Sequence, residues 1–533
     1  MRIAGKGLIN REKTLNFKFD GRSYKGFEGD TVASALLASG KKIFGRSFKY
    51  HRPRGVLTAG SEEPNALITV GQGAFQDPNV RATTQEIFEG LITKSQNNWP
   101  NLQYDILSVN DLFSNFLGAG FYYKTFMWPK SFWEKIYEPF IRRAAGLGAL
   151  SGLHNSDTYE KAYAFCDLLI IGGGPSGLMA AKIAAEAGLD VILAEQEPIF
   201  GGRLNSETEK VDGIPGSDWA AKIIEELKEL DNVRLFLRTT VTGVYDQGTF
   251  AAVERVGHHL PDRGSDRPLE CFWRIVAKNS ILAAGAIERA IAFPNNDRPG
   301  IMAASAVRTY LNRFGVSPGR SIALFCNNNT AHNTAKDLLE SGINIAAIID
   351  SREDSKTDLD VPFYNGAEVS NTFGRQGLNS IIVKKNNTES KIEVDCLAVS
   401  GGWNPTLHLT CHMNGRPTWD EKILSFVPEN GVIPNMAVVG AANGLMDTHS
   451  CFASAQKEIG LIIKAFGKTA KTKRLPKAEI TKYEISPKWC VDGKGRAWLD
   501  YQNDVTVKDI QQSVKENFKS VEHMKRYTTQ GMA

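Results

Sequence analysis

The residues with the clearest chemical potential form a glycine-rich turn near position 170. An apolar run at 168–171 leads into Gly172, Gly174 and Gly177, which satisfy the pattern G-x-G-x-x-G. In such a turn the first glycine permits a tight bend, the second lets a pyrophosphate approach the backbone, and the third lets the following helix pack on the strand. The N–H groups at the start of that helix then face the phosphates. The pattern predicts a dinucleotide-binding βαβ unit.

An acidic residue stands where such a unit needs one. Glu195 ends the next apolar run, 23 positions after Gly172, close to the usual spacing of about 20. A carboxylate at this point accepts hydrogen bonds from ribose hydroxyls and repels a 2′-phosphate. The two features together favour NAD, FAD or another adenine nucleotide over NADP, and they leave the choice among these open.

Two later segments resemble the flavoprotein superfamily that carries two dinucleotide-binding domains. They are IFGGRLN at 199–205 and ILAAGAIERAIAFPNNDRPGI from position 281. In that superfamily a closing GD motif usually places an Asp near the flavin, but here the stretch reads AVVGAANG, with Ala441 after Gly440, which weakens the case for FAD. The fingerprint and the resemblance together predict nucleotide contacts from Gly172, Gly174, Pro175, Ser176, Gly177, Glu195, Gln196, Gly202, Arg203, Val241, Ala284, Gly285 and Gly440.

A second βαβ unit follows, but its first turn is altered. An apolar strand at 321–325 leads into CNNNTAHNT, from Cys326 to Thr334, which contains no glycine. Side chains at these positions would keep a pyrophosphate away from the helix. We therefore expect this domain to be structural or to bind something other than a dinucleotide. Cys326 could be a nucleophile at a helix start, but without a C-x-x-C partner a buried, inert thiol is favoured.

A basic loop, GRSFKYHRPRG, occupies positions 45–55. Its cations alternate with Phe48 and Tyr50, a mixture that could bind phosphate, a carboxylate or single-stranded nucleic acid. In a nearly neutral chain, one basic run is more often a solvated or ion-paired face. The basic residues of the loop are Arg46, Lys49, His51, Arg52 and Arg54.

No residue is predicted to be a catalytic base or nucleophile. His51, His408 and His449 can titrate near neutrality, but each is interpreted as structural. The seven cysteines are scattered without a C-x-x-C pair, and residues 1–165 contain none. An N-terminal iron–sulfur cluster is therefore excluded, because its iron is held by cysteine thiolates. No metal site is predicted.

The elements that would position these residues follow a two-part α/β pattern. From Asp167 to about residue 465, short β-branched runs alternate with helical patterns, as in a parallel sheet. The predicted fold class is α/β, a flavoprotein-like core with two dinucleotide-binding domains, an N-terminal β-grasp (ferredoxin-like) module and a small C-terminal helical unit. The predicted boundaries are 1–100 for the β-grasp module, 101–165 for an aromatic helical connector, 166–317 and 401–465 for the dinucleotide-binding domain, 318–400 for the nested second domain, and 466–533 for the helical unit.

Local signals support the outer modules. Leu15, Phe17 and Phe19 alternate before Asp20-Gly21, the pattern of a hairpin with a tight turn. Near the other end Thr506 can cap a helix. The aromatic residues of the connector are interpreted as packed on neighbouring elements, with a subunit interface as the alternative.

Composition narrows the class of protein. The chain of 533 residues has 63 basic and 59 acidic residues, a net charge of +4, so nucleic-acid binding gains no support. With 42% hydrophobic and 23% charged residues it is an ordinary globular protein. The first residues lack the apolar core of a signal peptide, and no run reaches the length needed to span a bilayer. We expect a cytoplasmic protein without membrane attachment.

Across all 533 residues, the chain resembles the α subunits of heterotetrameric sarcosine oxidases. The resemblance rests on GRSFKYHRPRG, EEPNALI, the GGGPSG turn, DYQNDVTVKDI and SVEHMKRYT, in that order. It implies a chain that holds NAD, while a partner β subunit holds FAD and oxidises the N-methyl group of sarcosine. Electrons then pass to FMN at the interface of the two subunits, where oxygen is reduced to hydrogen peroxide. Smaller subunits complete the complex. With such a partner, we expect the basic loop to lie at the interface with the flavin-bearing subunit or near FMN, through Arg46, Lys49, His51, Arg52 and Arg54.

The sequence departs from this family in one respect. Full-length family members continue beyond the KRYT segment into a folate-binding domain resembling an aminomethyltransferase, whereas this sequence stops at Ala533. We therefore expect a short form without folate chemistry. The C-terminal unit also resembles a small 2Fe-2S domain of related dehydrogenase subunits, but it contains only Cys490. A free-standing FAD- and NADH-dependent reductase, a related amine or proline dehydrogenase subunit and a structural scaffold remain alternatives.

Overall fold

The structure is a computed structural model that describes residues 1–144, 146–262, 266–429, 431, 433–470 and 474–532, with the side chains of 122, 123, 143 and 144 excepted. The chain forms two compact units. The first unit comprises Met1–Ser156, Ala290–Gly401 and Pro487–Ala533, and the second comprises Asp157–Arg289 and Gly402–Ser486.

The first unit begins with a mixed five-stranded sheet. Its strands lie in the order Arg22–Glu28, Asn10–Phe19, Ile92–Ser95, Leu67–Val70 and Asp77–Arg81. The predicted hairpin is confirmed, because Phe19 pairs with Arg22 across Asp20 and Gly21, which both have positive φ. Such angles suit a two-residue turn that follows the strand twist. The helix Val32–Ala38 covers the sheet, with Thr31 as its N-cap.

A parallel sheet forms the second layer of the first unit. Its strands lie in the order Ile301–Ala303, Cys396–Ser400, Ser321–Cys326, Asn344–Asp350 and Phe363–Asn365. An antiparallel sheet adjoins it, with strands Glu368–Phe373, Ser380–Lys385 and Thr388–Glu393. The buried residues Phe17, Leu36, Val307 and Leu324 belong to one apolar cluster. One core therefore joins the N-terminal sheet to the parallel sheet.

Short elements complete the first unit. The paired strands are Gly45–Arg46 with Pro53–Arg54 and Trp498–Asp500 with Val505–Thr506. The other helices are Phe121–Lys124, Glu138–Ala144, Ala304–Asn312, Thr330–Glu340, Val507–Lys515 and Val521–Thr528. Thr506 caps its helix as predicted, in a reciprocal pair of hydrogen bonds with Asp509.

The second unit is built on a seven-stranded sheet. Six strands lie in the order Val233–Phe236, Val191–Ala194, Tyr159–Ile171, Glu270–Leu282, Thr249–Glu254 and Thr239–Tyr245, and Met436–Val438 pairs with Glu270–Leu282. Smaller pairs are Lys210–Val211 with Ile214–Pro215, Ala286–Glu288 with Trp403–Pro405, and Thr418–Asp420 with Ser425–Val427. Its helices are Pro175–Glu186, Gly216–Lys228, His408–His412 and Thr448–Ala465. The predicted fold class is confirmed.

The predicted boundaries differ from the two units. Residues 290–317 group with the first unit, because Ala304 and Val307 pack in the same core as the parallel sheet. Residues 466–486 group with the second unit, where Phe466 and Leu475 lie against its core. Among the described helices, none combines the length and apolar character needed to cross a membrane.

The aromatic connector is the main departure from expectation. It folds as short 3₁₀ segments at Ile106–Asp111 and Ser114–Phe116, the π-helical turn Trp133–Tyr137 and the two short helices given above. Phe121 is buried, but Phe116, Trp128 and Phe140 are 63%, 83% and 66% exposed. The interpretation of these aromatics as packed on neighbouring elements is therefore wrong for most of them.

Candidate functional site

The glycine turn follows the strand Tyr159–Ile171 directly. Gly172 has φ +104°, and a Cβ there would lie 2.4 Å from the carbonyl oxygen of Ala283. A Cβ on Gly177 would lie 1.9 Å from the carbonyl oxygen of Gly172. Both glycines are therefore required by close backbone packing, as the fingerprint predicts. Pro175 occupies the first position of the helix, where its missing N–H costs nothing.

Gly174 stands in a different environment. Its φ of −76° suits any residue, and the one heavy atom within 4 Å of an added Cβ would be the Cα of Gly202, at 3.9 Å. Gly202 has φ +53°, so two glycines face each other across the entrance to the helix. The first N–H groups of a helix lack intrahelical acceptors. This open cradle at a helix N-terminus fits the pyrophosphate of an adenine dinucleotide.

Glu195 lies beside the turn, and its carboxylate has defined partners. The side chain is buried, and its Oε2 accepts a hydrogen bond from the N–H of Gly173 at 2.7 Å, while Oε1 accepts one from Glu197 at 2.9 Å. The carboxylate is thus oriented at the turn, at the position where such folds bind a ribose hydroxyl.

Several other predicted contacts lie around the same turn. The Cα of Ala284 is 3.3 Å from an added Cβ on Gly172. Gly440 has φ +67°, and a Cβ on it would meet the hydroxyl of Ser176 at 2.3 Å. Val241 lies two residues beyond Thr239, whose N–H donates to the carbonyl of Glu195. Gly285 follows Ala284 and accepts a hydrogen bond from Thr406.

Two predicted contacts have other partners. The Gln196 side chain is exposed, and its carbonyl oxygen accepts a hydrogen bond from Arg255 at 3.3 Å. The Arg203 guanidinium lies 4.1 Å from the ring centroid of Trp403 and is ion-paired with Glu207. Sequence reasoning missed Trp403 because nothing in its local pattern links it to a loop 200 positions earlier.

The segment of the second unit after Gly440 contains one cysteine, Cys451, and its thiol is unreactive. Burial raises the pKa of Cys451 to about 12, so it is protonated at neutral pH. Ser176 donates to the carbonyl of Cys451 at 3.2 Å, and Asp447 caps the helix Thr448–Ala465. His449 is in the first turn of that helix, and His408 begins a separate short helix. Among the described residues, no hydrogen bond joins either histidine to the glycine turn.

The second βαβ turn, in the first unit, is filled by its own side chains. Asn327 and Asn328 are fully buried. Asn328 Nδ2 donates to the Ser400 hydroxyl at 2.9 Å, and its Oδ1 accepts from the Thr330 N–H at 3.1 Å. The space at the carboxyl ends of the strands, where such folds place a ligand, is used for internal hydrogen bonds.

A cluster of possible metal ligands adjoins this turn. One ligand atom from each of Cys326, His332 and Asp350 lies within 4.8 Å of the other two. However, Arg352 donates three hydrogen bonds to Asp350, and His332 Nε2 lies 3.0 Å from its Oδ2. Burial raises the pKa of the Cys326 thiol well above its usual value. A neighbouring guanidinium, an occupied carboxylate and a protonated thiol do not suit a cation.

The basic loop lies in the first unit, and two of its cations are fully buried. His51 Nδ1 lies 2.7 Å from Asp105 Oδ2, with both side chains inaccessible. Arg54 is ion-paired with Asp504, and its guanidinium lies 4.7 Å from the ring centroid of Trp498. The ion-paired interpretation of the loop therefore holds for Arg54, while His51 is buried in contact with Asp105.

The other three cations keep more contact with the surface. Arg52 Nε donates to Asp297 Oδ2 at 2.6 Å. Burial alone would raise the pKa of Asp297, but Arg52 and Arg54 outweigh burial and hold the pKa at about 2. Arg46 donates to the carbonyl of Leu102, and the backbone N–H of Lys49 donates to Asp504. Since Arg46 and Arg52 are half-buried, a role at an interface stays a prediction for them.

Family models match three parts of the chain. Residues 12–98 match a 2Fe-2S iron-sulfur cluster binding domain, residues 167–234 an FAD dependent oxidoreductase, and residues 494–533 the sarcosine oxidase A3 domain. The first match concerns the fold, because no cysteine precedes Cys166 and thiolates must hold the iron. The second covers the glycine turn and Glu195, which fit the ADP half of FAD and NAD alike.

Comparisons over the whole of this chain also find sarcosine oxidase α subunits. The chain is 46% identical to sarcosine oxidase subunit alpha of Rhizobium meliloti (strain 1021), over 100% of this chain and 54% of that protein. It is 34% identical to the corresponding subunit of Corynebacterium sp. (strain U-96), over 98% of this chain and 52% of that protein. The chain thus spans about half the length of the curated relatives it matches.

A solved structure supports the fold independently. The crystal structure of L-proline dehydrogenase from P. horikoshii covers 100% of this chain and 91% of its own, with a TM-score of 0.68 and 20% sequence identity. At 20% sequence identity, this match supports the fold only and says nothing about function. The sequence likeness to sarcosine oxidase α subunits extends over the whole chain and includes a match to their A3 domain.

Proposed function

We propose that this chain is the nucleotide-carrying α subunit of a multisubunit, flavin-dependent sarcosine oxidase. The observation that carries the proposal is the open cradle formed by Gly174 and Gly202 at a helix N-terminus, beside the oriented carboxylate of Glu195. The complex would demethylate sarcosine oxidatively to glycine and reduce oxygen to hydrogen peroxide. FAD on a partner β subunit supplies the oxidation, and FMN at the interface of the two subunits passes the electrons on.

In this function, the second unit binds and orients a nucleotide. The turn 172–177 receives the pyrophosphate, and Glu195 accepts a ribose hydroxyl, which excludes a 2′-phosphate. We propose NAD as the nucleotide because Ala441 stands where an FAD site usually has an Asp, so no carboxylate from this position reaches a flavin. Arg46 and Arg52, the half-buried cations of the basic loop, are the candidates for contact near the FMN.

The decisive experiment identifies the bound nucleotides. The chain is purified alone and within its complex, both samples are denatured, and the released nucleotides are identified by mass spectrometry. We expect NAD from the chain alone, with FAD and FMN only in the complex. FAD from the chain alone would contradict the proposal and support a free-standing reductase, whereas turnover of proline but not sarcosine by the complex would support a dehydrogenase subunit.

A substitution tests the cradle itself. Gly174→Glu should abolish nucleotide retention, since the new carboxylate would enter the space assigned to phosphates, yet the backbone at this position tolerates a side chain. Gly460→Glu is the matched control, because an added Cβ meets nothing within 4 Å on the helix Thr448–Ala465. Equal nucleotide content in both variants would place the nucleotide elsewhere.

A further inference from the structure

The first unit carries an unusual concentration of exposed apolar side chains in residues 99–142, here called the aromatic segment. These 44 positions contain 13 of the 50 aromatic residues of the chain. Among the described residues, 13 of the 36 exposed large hydrophobic side chains belong to the segment. They are Trp99, Tyr104, Ile106, Val109, Leu112, Phe113, Phe116, Met127, Trp128, Phe132, Trp133, Ile136 and Phe140. Scattered apolar residues need no explanation, but such a concentration marks an interaction site.

The segment is held by polar contacts on the side that faces its own unit. Asp105 pairs with His51 and accepts hydrogen bonds from the N–H groups of Trp99 and Leu107. Further along, Asp509 accepts from the N–H of Ala119 at 2.8 Å. The segment is therefore attached to its unit by defined bonds while its apolar side chains point outward.

Three of the eight charged residues of the segment, Asp105, Asp111 and Lys124, pair with other residues of the first unit. Asp111 pairs with Arg52 and Arg496, and Lys124 pairs with Glu516. Counted over 99–142, four acidic residues balance four basic ones. A segment that lies on a membrane surface is usually rich in Lys and Arg, so this balance favours a protein surface that is itself apolar and weakly charged.

The exposed area is large enough for a stable interface. Six aromatic side chains of the segment are more than half exposed: Trp99, Tyr104, Phe113, Phe116, Trp128 and Phe140. Since burying a whole aromatic side chain removes about 150–250 Å² from water, these six expose roughly 600–1,000 Å². A standard protein interface buries about 800 Å² on each partner. Aromatic enrichment is also typical of interface cores.

We infer that the aromatic segment is the docking surface for the FAD-containing partner subunit, whose complementary face is apolar and weakly charged. The inference rests on the proposed function, because relatives named as α subunits imply non-identical partners. Leu112 and Trp128 are the most exposed of these side chains, at 82% and 83%. Their removal should weaken the complex without loosening the core of the chain.

The experiment measures binding of the purified FAD-containing subunit, isolated from the native complex, to variants of this chain. Leu112→Ser and Trp128→Ser should each lower the affinity about 10-fold or more, as for residues central to an interface. Leu461→Ser is the matched control, being 57% exposed on a helix of the second unit, and it should change the affinity less than 2-fold. Hydrogen exchange in residues 99–142 should slow when the complex forms.

Other results would overturn the inference. Unchanged affinity of both variants, together with unchanged hydrogen exchange in residues 99–142 on complex formation, would show that the segment is not part of the interface. Self-association of the wild-type chain that both variants abolish would assign the surface to a second copy, and variant-sensitive binding to phosphatidylcholine–phosphatidylglycerol vesicles would assign it to a membrane. NAD release from the chain alone does not depend on Leu112 or Trp128. Failure of the docking test with NAD still bound would therefore leave the nucleotide proposal standing.

Discussion

The two βαβ turns of this chain share one topology and differ in what occupies the space beyond the strands. In the second unit, Gly174 and Gly202 leave that space to a ligand. In the first unit, Asn327 and Asn328 fill it with buried amides. The comparison teaches that a strand, turn and helix position a ligand site, while the side chains of the turn decide whether the site stays open.

The two turns also differ in the partners of the acidic residue beside them. Glu195, beside the open turn, accepts hydrogen bonds from the backbone N–H groups of Gly173 and Glu197. Asp350, which ends the equivalent strand in the first unit, is paired with Arg352 and hydrogen-bonded to His332. The carboxylate beside the open turn is thus oriented by backbone N–H groups, whereas the carboxylate of the filled turn is paired with a guanidinium.

The largest effect is expected from a substitution that disrupts the open turn. Gly172→Ala combines a φ of +104° with a Cβ 2.4 Å from the backbone carbonyl oxygen of Ala283, which directly follows the strand Glu270–Leu282. We expect a loss of about 3 kcal/mol in the free energy of unfolding of the nucleotide-free chain. Urea denaturation followed by circular dichroism measures it.

A second glycine provides the control for this change. Gly213→Ala places a methyl group at φ +85° with no heavy atom within 4 Å, so it reports the cost of the backbone angle alone, about 1 kcal/mol. Equal losses from the two substitutions would show that the close approach at Gly172 contributes nothing.

Sequence patterns predicted what depends on neighbouring residues. The Asp20-Gly21 turn, the Thr506 cap and the glycine turn each have a signal within a few positions, and each takes the expected form. The buried pair of Arg54 with Asp504 joins residues 450 positions apart. No local pattern indicates such a pair, so the sequence left a solvated face, an ion-paired face and an interface as alternatives for the basic loop.

The aromatic segment shows a related limit. Its composition left a packed core and a subunit interface as alternatives, because burial depends on which other elements cover a segment. The buried Phe121 and the exposed Trp128 are seven positions apart in one aromatic-rich stretch. Sequence pattern alone gives these two residues the same description, and only the three-dimensional fold separates them.

A smaller effect is expected when the filled turn is opened. Asn328→Gly removes the amide that bonds Ser400 and Thr330, and leaves their buried polar groups without these partners. We expect a loss of about 2 kcal/mol in the free energy of unfolding. We also expect no second nucleotide, since Asn327 still occupies the turn, so mass spectrometry should find an unchanged nucleotide content per chain.

An asparagine elsewhere in the same unit controls for the gain of backbone freedom. Asn386 has φ +54° in the tight turn between Ser380–Lys385 and Thr388–Glu393, an angle that glycine adopts readily. Asn386→Gly should leave stability within about 0.5 kcal/mol of the wild type. If Asn328→Gly behaved in the same way, or acquired a nucleotide, the distinction between a filled and an open turn would fail.

The smallest expected effect concerns acid sensitivity of the filled turn. Burial alone would raise the pKa of Asp350, but His332 and Arg352 outweigh burial and hold the pKa below the usual value of 3.8. Such a carboxylate stabilises the fold above pH 3.8, and the contribution is lost as the pH falls through its lowered pKa. Between the lowered pKa and 3.8, the unfolded chain binds this proton and the folded chain does not, so the free energy of unfolding falls with pH by up to about 1.4 kcal/mol per pH unit. Asp350→Asn removes this slope, whereas Asp358→Asn, at an exposed position of the same unit, should keep it. Denaturation between pH 5 and pH 2.5 distinguishes them, and parallel acid profiles for all three proteins would mean that the charge of Asp350 does not hold the turn closed.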